Sequence, residues 1–141
     1  MERLVKILAK RDCIRINHKD SIQKTSSVMS EKNIGCLPVV DTNDQLVGII
    51  SERDIARKTS KSDFSPNIEI ENIMTKNVVT CDSNASAFDL LEIMSDKKIR
   101  HIPIVDNNKL LGIISIGDVV NRIIDRYKEE NKNLKDYINT Y

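Results

Sequence analysis

The sequence predicts an α/β (α+β) fold built from two copies of one β-α-β-β-α unit. Two observations carry this prediction: a segment of about 65 residues recurs along the chain, and apolar runs of strand length alternate with helical apolar spacing in each copy. The length of 141 residues suits one domain. One copy alone would bury too little apolar surface to be stable, so we expect the two copies to share one packed unit.

The repeat is clearest around two apolar runs in each half. Residues 28–41 align with residues 93–106 at an offset of 65, which matches a proline in each half. One residue is then lost in a turn, and residues 46–54 align with residues 110–118 at an offset of 64. A match that survives a one-residue deletion indicates a duplicated structural unit.

Each copy begins with a predicted strand and a predicted helix. The strands are expected at residues 13–16 and 78–81, where bulky and β-branched residues cluster. Helix N-cap residues follow as Asp20-Ser21 and as Ser83-Asn84. In the second copy an apolar helical stripe then continues through Ala87, Phe88, Leu90, Leu91 and Met94.

A predicted β-hairpin and a second helix complete each copy. The hairpins pair residues 37–40 with 46–50, and residues 102–105 with 110–114, across short polar turns. The second helices are expected at residues 52–59 and at 117 to about 127.

The predicted domain boundaries follow from these elements. The first motif covers residues 1–62, with a linker at about 60–67, and the second motif covers residues 68–128. Residues 129–141 form a polar tail in which Leu134, Tyr137, Ile138 and Tyr141 have helix-like spacing. This tail is either a frayed terminal helix or a helix that docks on a partner or a second copy.

Composition excludes several classes of protein. The net charge is +1 and aromatic residues make up 4%, which disfavours nucleic acid as a partner. No apolar run is long enough to cross a membrane, and residues 1–10 mix charges rather than forming a signal peptide. We therefore expect a soluble, cytoplasmic protein with no membrane partner.

The three cysteines, Cys13, Cys36 and Cys81, are widely spaced and include no C-x-x-C pair. This spacing favours reduced, half-buried thiols over a disulfide framework or a zinc site. We expect no bound metal.

The duplicated motif Leu-Pro-Val-Val-Asp followed by Leu-Val-Gly-Ile-Ile-Ser-x-x-Asp resembles a tandem pair of CBS domains over roughly residues 5–127. The resemblance implies two motifs related by a pseudo-twofold axis, with clefts between them that bind adenine nucleotides or S-adenosyl groups in many members. It also implies that the aspartate at the positions of Asp54 and Asp118 often binds ribose.

The residues alone allow two interpretations of the S-x-x-D segments. Ser51 with Asp54, and Ser115 with Asp118, match a helix capping box, which requires no ligand. The same geometry also suits a nucleotide, because a carboxylate can accept hydrogen bonds from both hydroxyls of a ribose while the helix start binds phosphate.

We rank the Asp118 cleft first because basic residues accompany it. Arg100 and a protonated His101 could bind phosphate, and Gly117 would let a phosphate approach the backbone. The alternative for His101 is a partly buried structural histidine. By family analogy, the opposite copy supplies the adenine contacts. The first cleft is thus predicted to comprise Ser115, Gly117, Asp118, Arg100, His101, Cys13, Ile14, Leu37 and Pro38.

The second cleft has Gly35 and Cys36 at the positions of Arg100 and His101, and these residues carry no charge. Arg53 could instead bind a phosphate at the helix start. The alternative for Arg53 is an exposed ion pair with an acidic residue. Its predicted members are Ser51, Arg53, Asp54, Val78, Val79, Ile102 and Pro103.

The predicted function is regulatory, because no phosphate-binding loop, dinucleotide fingerprint, metalloprotease motif or nucleophile signature is present. We expect a stand-alone CBS pair that binds AMP, ADP or ATP as a regulatory ligand, requires no cofactor, forms a homodimer and signals to an unidentified effector protein. The alternatives are a ligand-free dimerisation or interaction module and a sensor of S-adenosylmethionine.

Overall fold

The computed structural model describes residues 4–8 and 11–140. The predicted tail position Tyr141 and parts of the N-terminal segment 1–10 lie outside these residues. The elements in chain order are α1 (Leu4–Leu8), β1 (Ile16–Asn17), α2 (Ile22–Lys32), β2 (Cys36–Val40), β3 (Leu46–Ser51), α3 (Glu52–Thr59), a 3₁₀ turn (Ile70–Asn72), α4 (Ala87–Lys97), β4 (His101–Asp106), β5 (Lys109–Ser115) and α5 (Ile116–Thr140). The predicted α+β class is confirmed.

The first half forms a three-stranded sheet of order β1-β2-β3 and the second half a two-stranded sheet, β4-β5. Both predicted hairpins are present and antiparallel, with a register irregularity at the equivalent place in each. β1 pairs parallel with β2 but covers only Ile16–Asn17, a shorter and later strand than predicted.

The strand predicted at residues 78–81 is wrong, because only Cys81 pairs, in an isolated parallel bridge with Ile104. Residues 78–80 form no bridge to a neighbouring strand, and the pairing also does not extend beyond Cys81. In the first half the His18 N–H donates to the Val40 carbonyl at 2.9 Å, but the equivalent Ser83 N–H donates to the Asp106 carboxylate at 3.0 Å. A side chain therefore replaces the backbone partner that would extend this strand.

The one-residue deletion in the repeat is located in the hairpin turns. In the second half Asn107 and Asn108 form a two-residue turn with φ of 51° and 61°. Asparagine tolerates this left-handed conformation, which two-residue hairpins require at both positions. The first half uses a longer turn in which Asp44 has a φ of 61°.

Two helix boundaries differ from the prediction. α4 is capped by Ser86, whose hydroxyl accepts from the Asp89 N–H at 3.1 Å, and not by Ser83-Asn84. α5 begins at Ile116 and continues to Thr140 rather than ending near residue 127, because no glycine or proline interrupts it after Gly117. By contrast, α2 is capped by Ser21 as predicted.

Each half receives an apolar segment from the other. Val5 and Leu8 of α1 are buried in the core of the second half, beside Leu90 and Ile104. Ile70 of the 3₁₀ turn is buried in the core of the first half. The two cores are thus completed reciprocally, which joins the halves into one packed unit.

Candidate functional site

Both S-x-x-D segments form reciprocal helix caps. The Asp54 N–H donates to Ser51 Oγ at 3.2 Å, and the Ser51 N–H donates to Asp54 Oδ2 at 2.9 Å. At the start of α5, the Asp118 N–H donates to Ser115 Oγ at 3.1 Å and the Ser115 N–H donates to Asp118 Oδ2 at 3.0 Å. The capping role is therefore confirmed at both sites. In each cap these bonds engage Oδ2, and Oδ1 takes no part in them.

A cavity of about 220 Å³ lies between the two halves at the start of α5. Asp118 and Ser115 contribute its polar end, and Cys13, Ile14 and Leu37 reach it from the first half. His101 of β4, which is also a predicted site residue, lines the same cavity. Six of the nine residues predicted for the first-ranked cleft thus line one cavity.

The other three predicted residues do not line this cavity. Pro38 is buried within β2, and the side chain of Arg100 is exposed. Gly117 is exposed in the first turn of α5, where an added Cβ would contact only Ser115 Oγ, at 3.6 Å. The Arg100 carbonyl accepts a hydrogen bond from the Ile116 N–H at 2.8 Å, so the backbone of this residue helps to hold the start of α5.

Seven residues that line the cavity were not predicted from the sequence. Arg11 is the most important of them, because its Nη1 lies 3.5 Å from Asp118 Oδ1. The repeat aligns Arg11 with another basic residue, Lys76, at the same offset of 65, and this match could have identified it. The remaining unpredicted lining residues are Leu8, Asp12, Ile34, Cys36, Gly112 and Ile113.

The surroundings of His101 disfavour its charged form. Burial lowers the pKa of its imidazole, the Asp118 carboxylate opposes this shift, and Arg100 adds to it. The protonated donor predicted for His101 is therefore the disfavoured form. A neutral ring still offers one N–H donor and one acceptor.

The structure does not bring the residues of the second predicted cleft together in one cavity. Ser51 and Asp54 form the α3 cap, Arg53 is exposed, and Val78 and Val79 are half-buried. Ile102 and Pro103 are buried in β4, where Pro103 pairs with Ile113. None of the four main cavities in the described part of the chain joins these two groups of residues.

The electrostatic surroundings of the two caps also differ. Near Asp54, the Glu52 carboxylate lies against Gly35, with Oε1 3.2 Å from where a Cβ would be. Near Asp118, the equivalent helix position is the apolar Ile116, and the Arg11 guanidinium forms an ion pair with Asp118 Oδ1. The Asp118 cap thus has an adjacent cation and lacks a counterpart of Glu52.

The cysteines are unpaired thiols. Burial raises the pKa of Cys36 to about 12, with a further contribution from Asp54, and raises the pKa of Cys81 to about 11. Across residues 4–8 and 11–140, no group of three or more His, Cys, Asp or Glu side chains is placed to hold a metal ion. In the same ranges no helix has both the length and the apolar character needed to span a membrane.

The CBS domain family matches this chain twice, at residues 5–61 and 70–125. The chain therefore belongs to the CBS domain family and is a CBS pair. It is 33% identical over 124 residues to the CBS domain-containing protein CBSX3, mitochondrial, of Arabidopsis thaliana, covering 84% of this chain and 60% of that protein.

Solved structures show the same fold. A protein with CBS domains from Burkholderia ambifaria MC40-6 is 33% identical, with a TM-score of 0.77 over 86% of this chain and 93% of that one. The CBS domain pair of protein MJ0100, solved with 5′-methylthioadenosine and S-adenosyl-L-methionine, is 29% identical, with a TM-score of 0.79 over 89% and 99% of the two chains.

Proposed function

We propose that this CBS pair is a regulatory module that binds an adenine nucleotide in the Asp118 cleft. The observation that carries the proposal is the cavity between the halves, where Asp118 presents Oδ1 beside the Arg11 guanidinium and the start of α5. A carboxylate oxygen in this position can accept a ribose hydroxyl, and a helix start with an adjacent cation suits phosphate.

The cavity is large enough for only part of a nucleotide. Its volume of about 220 Å³ is below the ~300 Å³ at the lower end of small-molecule pockets. We therefore infer that adenine and ribose enter the cavity and that the phosphates lie at its mouth. Arg11, whose side chain is 65% exposed, borders that mouth.

The Arg11 cation favours a ligand that carries phosphate, because an anion gains from the adjacent guanidinium. The complex of protein MJ0100 with methylthioadenosine and S-adenosylmethionine supports an adenosine ligand in general. AMP, ADP and ATP are the ligands that we propose for this chain, and no further cofactor is involved.

Ligand binding would regulate by fixing the arrangement of the two halves. Cys13, Ile14 and Leu37 belong to one half and Asp118 to the other, so a bound nucleoside contacts both. A ligand shifts a conformational equilibrium only through such differential contacts. We propose that an effector protein or a second copy of the chain responds to this change, and that the module itself is not catalytic.

A ligand-free interaction module is the second candidate. It is favoured by the caps, which give Ser51, Asp54, Ser115 and Asp118 a structural role without any ligand. Exposed apolar side chains such as Phe88 and Tyr127 would then provide the interaction surface.

Thermal unfolding with millimolar AMP, ADP, ATP and S-adenosylmethionine separates the two candidates. A nucleotide at 100 times its Kd should raise the free energy of unfolding by about 2.7 kcal/mol. We expect this shift with nucleotides and a smaller one with S-adenosylmethionine. An unchanged melting temperature with every ligand would contradict the proposal and favour the interaction module.

A further inference from the structure

The last helix carries an apolar stripe that the folded body does not use. Val119 and Ile123 of α5 pack in the core of the second half. From residue 124 to residue 140 every side chain of the helix is exposed. Large apolar residues nevertheless recur in this segment, and Leu134 and Ile138 are 58% and 63% exposed. A helix this exposed gains little from tertiary packing and is marginal in isolation.

The spacing of this stripe is that of a coiled coil. Residues 120, 124, 127, 131, 134 and 138 follow one another at alternating intervals of four and three, the spacing of heptad positions a and d. The a positions are Ile124, Asn131 and Ile138, and the d positions are Val120, Tyr127 and Leu134. Tyr141, outside the described residues, continues the series in the sequence.

The residue types at these positions favour two strands. Two of the three a positions are isoleucine and Leu134 occupies a d position, and isoleucine at a with leucine at d is the combination preferred by two-stranded parallel coiled coils. A single asparagine at an a position, such as Asn131, fixes the register and the number of strands because it bonds to its counterpart in the seam. The sequence of the stripe thus selects a second copy of the same helix as its partner.

The flanking charges select the parallel orientation. Glu130 is at position g and Lys135 is at position e of the following heptad, and these two positions meet across a parallel in-register dimer. Both sides of the seam then carry an opposite-charge pair. An antiparallel dimer would instead bring the e positions together, and these are Lys128 and Lys135.

We propose that residues 120–140 of α5 pair with the same residues of a second copy as a parallel two-stranded coiled coil. The proposal supplies the surface for the homodimer proposed above and does not depend on nucleotide binding. Val120 to Ile138 spans about 27 Å at the helical rise. Phe88, which borders a surface groove with Tyr127, extends the apolar contact onto the folded body.

The oligomeric state of the full chain without nucleotide tests the seam. Sedimentation velocity at about 50 µM should show a dimer, and Leu134→Glu should raise the dimer dissociation constant at least about 100-fold because it buries two like charges. Asn139→Glu adds the same charge at a b position outside the seam and should leave the dimer unchanged. Circular dichroism should show that both variants retain the folded body.

Ile138→Lys provides a second seam variant one turn away, with the same expected loss of the dimer. A wild-type monomer at this concentration overturns both the coiled coil and the homodimer. A dimer that survives Leu134→Glu and Ile138→Lys overturns the coiled coil alone. Neither result bears on the nucleotide site.

A cross-link tests the orientation. In the parallel arrangement each residue 138 faces its counterpart, so Ile138→Cys should form a disulfide-linked dimer under mild oxidation. The wild-type chain is the control for the three native cysteines. A dimer of Ile138→Cys that does not cross-link overturns the parallel arrangement, because antiparallel helices would hold these residues far apart.

Discussion

The Arg11 guanidinium lies 3.5 Å from Oδ1 of Asp118, the carboxylate oxygen that is not used to cap α5. The two residues come from different halves of the chain, and both line the cavity between the halves. The exposed ion pair itself contributes little stability. Its importance lies in placing a cation where a ligand phosphate would be located.

Arg11→Gln should therefore weaken AMP and ATP by about tenfold, the loss of one charge-assisted interaction, and change adenosine binding by less than about twofold. Isothermal titration calorimetry measures both affinities. Arg53→Gln is the matched control, because it removes an exposed arginine from the other cap. Equal losses for AMP and adenosine would mean that Arg11 does not contact the phosphate.

Gly48 and Gly117 should respond in opposite directions to alanine. A Cβ at Gly48 would lie 2.5 Å from Met74 Sδ and 2.9 Å from the Thr75 carbonyl, so Gly48→Ala should lower the free energy of unfolding by about 1–3 kcal/mol. At Gly117 the Cβ is free of close contacts, and Gly117→Ala should raise helix stability by about 0.5–1 kcal/mol. Urea unfolding of the two variants measures this difference: a stabilising Gly48→Ala would contradict the packing around Gly48, and a destabilising Gly117→Ala would contradict the open space at Gly117.

Stability should fall as the pH drops below about 6.5, the ordinary pKa of histidine. Burial lowers the pKa of His101 in the folded chain, so the unfolded chain binds this proton more readily. The stabilising contribution is fully present above the unfolded pKa and is lost towards the lowered folded pKa. Urea unfolding at pH 7.5 and 5.5 should show a smaller loss for His101→Gln than for the wild type.

The carboxylates do not obscure this measurement. Glu71 and Asp106 have lowered pKa values, which also reduce stability on acidification, but only as the pH approaches their ordinary values near 4. An equal loss in His101→Gln and the wild type between pH 7.5 and 5.5 would show that His101 is not the titrating group.

Cys36 should be almost unreactive in the folded chain. Its thiol is buried and its pKa is about 12, so the reactive thiolate is scarce at pH 8. Alkylation with iodoacetamide, followed by peptide mass spectrometry, should be at least about 100-fold slower than in urea. Rapid labelling of Cys36 would contradict its burial between the halves.

The repeat made most of the fold predictable. The hairpins, α3 and both S-x-x-D caps follow from apolar runs and capping residues, which are local features of the sequence. The strand predicted at residues 78–81 is the exception, because its apolar residues satisfy the local rule for a strand but only Cys81 pairs with a neighbour, in an isolated bridge to Ile104. The local rule for N-caps does not distinguish Ser83-Asn84 from Ser86, so the position of the α4 cap does not follow from the sequence.

The site was predictable only in part. Asp118, Ser115 and the apolar residues from the first half follow from the duplicated motif. Arg11 lies before the first predicted strand, in a segment with no apolar period, and its contact with Asp118 depends on how the chain crosses to the second half. Pro38 is predicted by family analogy and Arg100 from the affinity of a guanidinium for phosphate, and neither residue lines the cavity.

Calorimetric titration of AMP into the wild type, Asp118→Ala and Asp54→Ala tests the central claim most directly. Both variants lose one helix cap, so both should melt earlier than the wild type. Asp118→Ala should also weaken AMP by about tenfold or more, the value of one or two charge-assisted hydrogen bonds, whereas Asp54→Ala should change the affinity by less than about twofold. Wild-type affinity in a folded but less stable Asp118→Ala variant would show that this aspartate only caps the helix.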